Sequence, residues 1–200
     1  MGGPGCLNTF TGESPYVNEL RSINLIDHHI LGDAEISLVK LLQGEINYPG
    51  IDDVVWTQLT SDQLSAMQMP NYDDYNFDLY STKELGIVGS RGCVRQCTFC
   101  DFIANWTKFQ WRTADSIFNE MKTQSTRYKI NNFRFQDALV NGNVKEFNKL
   151  MQLLADYNEQ NPENKLEWNG YYIFREPTAS SDRDWELIKK SGATALIVGI

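Results

Sequence analysis

The chain has 200 residues, 42% of them hydrophobic, and a formal net charge of -8 at pH 7. That is the make-up of a soluble globular protein with no uninterrupted apolar run long enough to cross a bilayer, and its acidity argues against general affinity for nucleic acid, though not against recognition of one folded RNA. Four cysteines, three of them clustered, and no apolar leader do not make a secreted disulfide framework, so a reducing cytoplasm is the expected compartment.

In chain order, Met1-Gly2-Gly3-Pro4-Gly5 reads as a loop, Ile23 to Leu31 as a strand, and Gly32-Asp33-Ala34-Glu35 as a turn into an amphipathic helix through Leu42. Residues 46–82 are rich in Asp, Asn, Tyr and Pro with little periodicity, which predicts an ordered linker anchored by aromatics. From residue 83 short apolar strands alternate with amphipathic helices, the signature of βα units and a parallel sheet. Leu85 to Val88 is the first strand, and the cysteines follow it directly. Thr113 then caps a helix carrying Ile117 and Met121 on its apolar stripe, and Asn132 to Gln136 is a second strand ending at Asp137.

A second helix covers about Val144 to Tyr157, where Val144, Phe147, Leu150, Met151 and Leu154 recur at helical spacing, and Pro162 closes it. Leu166 to Phe174 is a third strand, Asp182 to Lys190 a third helix ended by Gly192, and Ala195 to Ile200 a fourth strand. Parallel strands are buried on both faces, so a last strand without its helix reads as a cut end. Ligands of parallel sheets sit beyond the carboxyl ends of the strands, which makes Asp137 and Arg175 site candidates.

The charge is unevenly spread. Residues 1–82 carry 2 basic and 12 acidic groups, residues 83–134 carry 9 and 4, and residues 135–200 carry 7 and 10. A positive field therefore surrounds the cysteines, where Arg91, Arg95, Lys108, Arg112, Arg127, Lys129 and Arg134 either offset an anionic centre and attract a carboxylate or phosphate, or merely solvate a surface.

The run Gly92-Cys93-Val94-Arg95-Gln96-Cys97-Thr98-Phe99-Cys100 places three thiols at CxxxCxxC spacing. A cubane cluster that only carries electrons takes four thiolates, so three imply a fourth ligand from elsewhere or a vacant iron. A zinc site with Cys6, His28 or His29 as a distant fourth ligand is the structural alternative, although none of these stands at the second paired spacing of zinc modules. An electron-transfer module or a zinc-stabilised interaction domain are thus the competing classes.

The CxxxCxxC run with Phe99 before its last cysteine resembles the signature of the radical S-adenosylmethionine (radical SAM) enzymes. The resemblance implies a [4Fe-4S] cluster on Cys93, Cys97 and Cys100, whose open iron chelates S-adenosylmethionine. Reductive cleavage there gives a 5'-deoxyadenosyl radical that abstracts hydrogen from a substrate. It also implies an α/β fold, a partial (βα) barrel of which about four of six strands are expected here, and an electron donor such as flavodoxin or ferredoxin. Phe99 would approach the adenine, and Gly92 would let the loop come close to the cluster. Asp137 resembles the aspartate ending the second strand in relatives with phenylalanine-x-Asp-Asp, although this chain reads Phe135-Gln136-Asp137-Ala138. Arg175, and less so Glu176, would reach a carboxylate by a charge-assisted bond. Val198-Gly199-Ile200 looks like the start of the family's fourth-strand motif.

Residues 1–45 resemble the closing part of the Rossmann-like cobalamin-binding domain that precedes many such cores, with Gly2 and Gly3 bordering a nucleotide tail and Asp33 where a glutamate is more usual. The expected division is 1–45 as that remnant, 46–82 as linker and 83–200 as the radical SAM core, with cobalamin a further expected cofactor and methyl transfer, ring rearrangement or sulfur insertion as candidate outcomes. Asp27, His29 and Gly32 spell the Asp-x-His-x-x-Gly of cobalt-ligating proteins, but in the wrong place, after the Gly-Gly loop rather than before it.

Overall fold

A computed structural model of the chain describes residues 15–26, 28, 30–45, 55–100, 102, 106, 108–175 and 184–199. Expectations for Gly2, Gly3, Cys6, Asp27, His29, Glu176 and Ile200 fall outside them. The chain forms two compact units, Met1–Leu59 with Arg95–Lys108, and Thr60–Val94 with Phe109–Ile200. No helix among the described residues is long and apolar enough to cross a membrane.

The second unit is an α/β layer. Strands β3 (Leu85–Ile87), β6 (Asn132–Phe135), β7 (Glu167–Tyr171) and β8 (Ala193–Ile197) form a parallel sheet in that order. Leu85 faces Phe133, Phe133 faces Trp168, and Trp168 faces Ala193. Helices α4 (Ala114–Tyr128), α5 (Val144–Gln160) and α6 (Trp185–Lys190) make the crossovers. In β6 the period-2 alternation buries Phe133 and Phe135 and exposes Asn132 and Arg134. Phe133, Phe135 and Trp168 join Ile117 and Met121 of α4, Phe147, Leu150, Met151 and Leu154 of α5, and Ile188 of α6 in one core. Burying each such side chain contributes about 1.5–3 kcal/mol.

The helix starts follow side-chain chemistry. Thr113, Asn143 and Asp184 accept from the backbone N–H of Ser116, Glu146 and Leu187 respectively, satisfying donors that have no partner inside the helix. The sheet strands and helices of this unit match the predicted order with shifted ends: the third strand is shorter, Glu167–Tyr171, the second helix runs on to Gln160, the third helix starts at Trp185, and the fourth strand starts two residues earlier, at Ala193, and ends at Ile197.

Part of the stretch read as linker also belongs to this unit. Helix α3 (Ser61–Ser65) opens with a reciprocal cap between Thr60 and Gln63. Tyr72 and Phe77 pack with Tyr128 of α4, whose hydroxyl accepts from the Tyr72 N–H at 2.8 Å, and Tyr75 packs on Tyr72 and Phe77.

The first unit holds α1 (Pro15–Ser22), β1 (Ile30–Gly32), α2 (Glu35–Leu42) and β2 (Val55–Thr57), with β1 and β2 paired in parallel as a small β-α-β element. Here the expected strand from Ile23 to Leu31 is corrected to its last residues. Helix α1 precedes it and ends in a tight turn, with Asn24 at φ 55° and the Leu25 N–H donating to Leu20 O at 2.9 Å, the pattern of a Schellman cap. Ile23 and Leu25 are therefore exposed turn residues. The predicted turn and helix through Leu42 are present. Asp33 is buried at the turn, accepting from Leu59 N–H at 2.7 Å and from Trp106 Nε1–H at 3.2 Å.

Candidate metal centre

Strand β3 ends at Ile87, and the chain turns through Val88, Gly89 and Ser90 towards the cysteines. Two residues then pair antiparallel with two others: β4 (Ser90–Arg91) with β5 (Gln110–Trp111). The ladder brackets residues 92–109 like the neck of a loop. Helix α3 supports it, since Ser61 Oγ accepts from Trp111 N–H at 3.1 Å and Ser65 Oγ from Thr113 N–H at 2.9 Å.

Beneath the neck lies a buried polar knot. Arg112 donates from its backbone N–H to Gly89 O at 2.8 Å and from its guanidinium to Val88 O at 3.0 Å. The same guanidinium pairs with Glu120 of α4 at 2.6 Å, with both side chains under 10% exposed. A buried pair of this kind holds geometry rather than adding much net stability, but removal of one partner strands the other charge. Asp137, 4% exposed at the end of β6, accepts from Gly89 N–H at 2.9 Å and from the Ser90 hydroxyl. Gly89 lets the carboxyl this close, because a Cβ there would lie 3.1 Å from Asp137 Oδ1 and 3.2 Å from Ile117 and Phe135. Burial pushes the Asp137 carboxyl up to about 7, opposed by the Ser90 and Gly89 bonds and by the charge of Arg112.

Above the knot, Gly92 is buried with φ 82°, a left-handed conformation that favours glycine immediately before Cys93. Cys93, Cys97 and Cys100 are all thiols, Cys97 exposed and the other two half-buried. The Cys100 N–H donates to Cys97 O at 3.1 Å, a turn that fits the two-residue spacing between them. Phe99 is 91% exposed and takes no part in a core. Among the described residues no three His, Cys, Asp or Glu side chains converge on a metal-sized point. The fit to a cluster therefore rests on the donor set, three thiols in one loop, which suits a cubane with one iron left open.

The other predicted site residues are placed as follows. Arg175, beyond the end of β7, donates to Asn141 O at 2.6 Å and Gly142 O at 3.1 Å. It thereby ties the segment after β7 to the loop after β6, a link reinforced by Asn141, whose side chain donates to Ile173 O and accepts from Ile173 N–H. Of the basic patch, Arg112 is committed to Glu120 and Arg127 pairs with Asp73 at the surface, while Arg134 lies on the sheet face away from the core. His28 is exposed. Sequence reasoning did not single out Gly89, Ser90 or Asn141. The adjacency of Gly89-Ser90 to the motif and the Asn-Gly-Asn turn at 141–143 were the available signals.

A family model described as the radical SAM superfamily matches residues 87–200, from the last residue of β3 through the cysteines and the rest of the sheet. The chain belongs to the radical S-adenosylmethionine superfamily. Among solved structures it is similar to the radical S-adenosylmethionine methyltransferase TsrM from Kitasatospora setae with tryptophan substrate and a SAM analog (aza-SAM) bound, at TM-score 0.66 and 16% identity, over 92% of this chain and 40% of that one. TsrM with cobalamin and a [4Fe-4S] cluster bound matches at TM-score 0.49 and 19% identity, over 57% and 22%. The chain thus spans less than half the length of these solved chains. At such identities the first likeness shows the fold. No curated protein sequence matches.

Proposed function

We propose that the protein is a radical SAM enzyme in which Cys93, Cys97 and Cys100 ligate a [4Fe-4S] cluster and the fourth iron takes S-adenosylmethionine. The observation that supports this reading is the CxxxCxxC run that follows the first strand of a parallel sheet along the chain, inside the stretch that matches the superfamily. When bound, the cluster and S-adenosylmethionine supply one-electron cleavage to a 5'-deoxyadenosyl radical, with the electron delivered by a donor of the flavodoxin or ferredoxin kind.

The chain's own residues do the positioning. Gly92 lets the backbone turn into the loop. Phe99 offers an unburied ring and backbone to an adenine. Arg175 fixes the loop after β6 and stands near a strand end where a carboxylate would be read. Asp137 and Arg112 hold the corner from which the loop springs.

Cobalamin use and methyl transfer extend the proposal. They are supported by the fold shared with TsrM, which has been solved with cobalamin, and by the parallel β1-α2-β2 element of the first unit. The proposed setting is a reducing cytoplasm.

The test is the electron paramagnetic resonance spectrum of the anaerobically reconstituted, reduced chain with and without S-adenosylmethionine. The reading predicts a cluster signal that shifts on addition, and shifts less in Phe99→Ala. A signal indifferent to S-adenosylmethionine would make the loop an electron-transfer site.

A further inference from the structure

At the end of β6 the buried carboxyl of Asp137 bonds to Gly89 and Ser90, the residues that lead to Cys93. We propose that Asp137 is a positioning residue for the cysteine loop: its carboxyl latches Gly89 and Ser90, and the proton it carries sets how firmly the stem stays closed. The clamp itself is a matter of geometry. Its significance for chemistry rests on the reading of the loop as a cluster site.

Asp137 reaches the stem at two points, Gly89 N–H and the Ser90 hydroxyl, four and three residues ahead of Cys93. The groups facing it are few. Arg112 lies between β5 and α4, and Glu120 of α4 already shares its charge. Glu146 of α5 lines the same cavity of about 30 Å³, and its Oε2 accepts from Ala114 N–H at 2.7 Å. The cavity has room for a water-sized molecule beside Ser90, Arg112 and Asp137.

The sign of the proton dependence follows from linkage. Burial raises the carboxyl to about 7 in the closed stem, whereas an opened, hydrated Asp137 would titrate near the ordinary value of about 4. The closed stem thus binds the proton more tightly than the open one. Its extra stability is fully present below about pH 4 and is lost as pH rises through about 7, with a limiting slope of about tenfold in the opening constant per pH unit. Asp137→Asn copies the protonated acid: Oδ1 accepts from Gly89 N–H and Nδ2 donates to Ser90 Oγ. The variant keeps the fold and removes the titration.

The experiment is amide hydrogen exchange of the metal-free full chain from pH 5 to 8.5, corrected for the intrinsic chemical rate and read for residues 88–94 against the α5 core at 150–155. Stem opening in the native chain is expected to rise towards pH 7 and level off above it, while Asp137→Asn stays flat and α5 is unchanged in both. Ser90→Ala, which removes one of the two bonds, is expected to open the stem more at every pH yet keep the titration. Identical pH profiles for the native chain and Asp137→Asn would overturn the proposal, as would a stem that does not respond to pH in either. Iron and sulfide uptake is measured on the same samples. A native chain that takes up neither contradicts the cluster reading, and the exchange profiles then still decide whether Asp137 governs the stem.

Discussion

Between Val88 and Ser90 the chain is held by two buried side chains, Arg112 and Asp137, while at Cys97 and Phe99 it is open to solvent. The stem spends polar groups inside the protein, where an unmet partner is costly. The Cys97 thiol and the Phe99 ring are left exposed. The contrast teaches that the approach to the cysteines is fixed by buried polar partners within its own unit, where Gly89 and Ser90 meet Asp137 and Val88 meets Arg112.

That contrast can be broken from either side. The largest expected effect is Cys97→Ala, which takes iron content after reconstitution from near-stoichiometric to none while leaving the melting temperature of the metal-free chain unchanged, because Cys97 is exposed. On the stem side, Arg112→Ala leaves Glu120 buried without its partner and is expected to cost about 3–5 kcal/mol in denaturant unfolding. In the sheet that carries the stem, Phe133→Ala should cost about 3–5 kcal/mol by the same measurement, since the ring is fully buried in the core. Thr113→Ala removes the cap of α4 at the far end of the neck and should cost about 1 kcal/mol. Phe99→Ala should change stability by less than about 0.5 kcal/mol, so any lost response to S-adenosylmethionine reports on the ligand alone.

How far the sequence could be read follows the same division. Around β6 and α5 the alternation of Phe133 and Phe135 with polar neighbours and the stripe from Phe147 to Leu154 give one answer at every level, so strand, helix and core were all legible. The cysteines were legible because donor type and spacing are local. Ile23 to Leu31 was misread because Ile23 and Leu25 are apolar but sit in the capping turn of α1, where a left-handed Asn24, rather than hydrophobicity, decides the path. The β4–β5 neck is only two residues on each side and leaves no periodic trace. Asp137 was legible as a strand-end carboxylate, but its bonds to Gly89 and Ser90 span nearly fifty residues and depend on the register of β3 against β6. Long-range polar pairing of that kind emerges only once the sheet is assembled.

The most direct test of the central claim is the iron, acid-labile sulfide and zinc content of the native chain and Cys97→Ala after anaerobic reconstitution with iron and sulfide. The account predicts about four irons and four sulfides per native chain and none in the variant. Tightly held zinc with no sulfide, in a folded sample, would contradict it and make the three-cysteine loop a structural metal site.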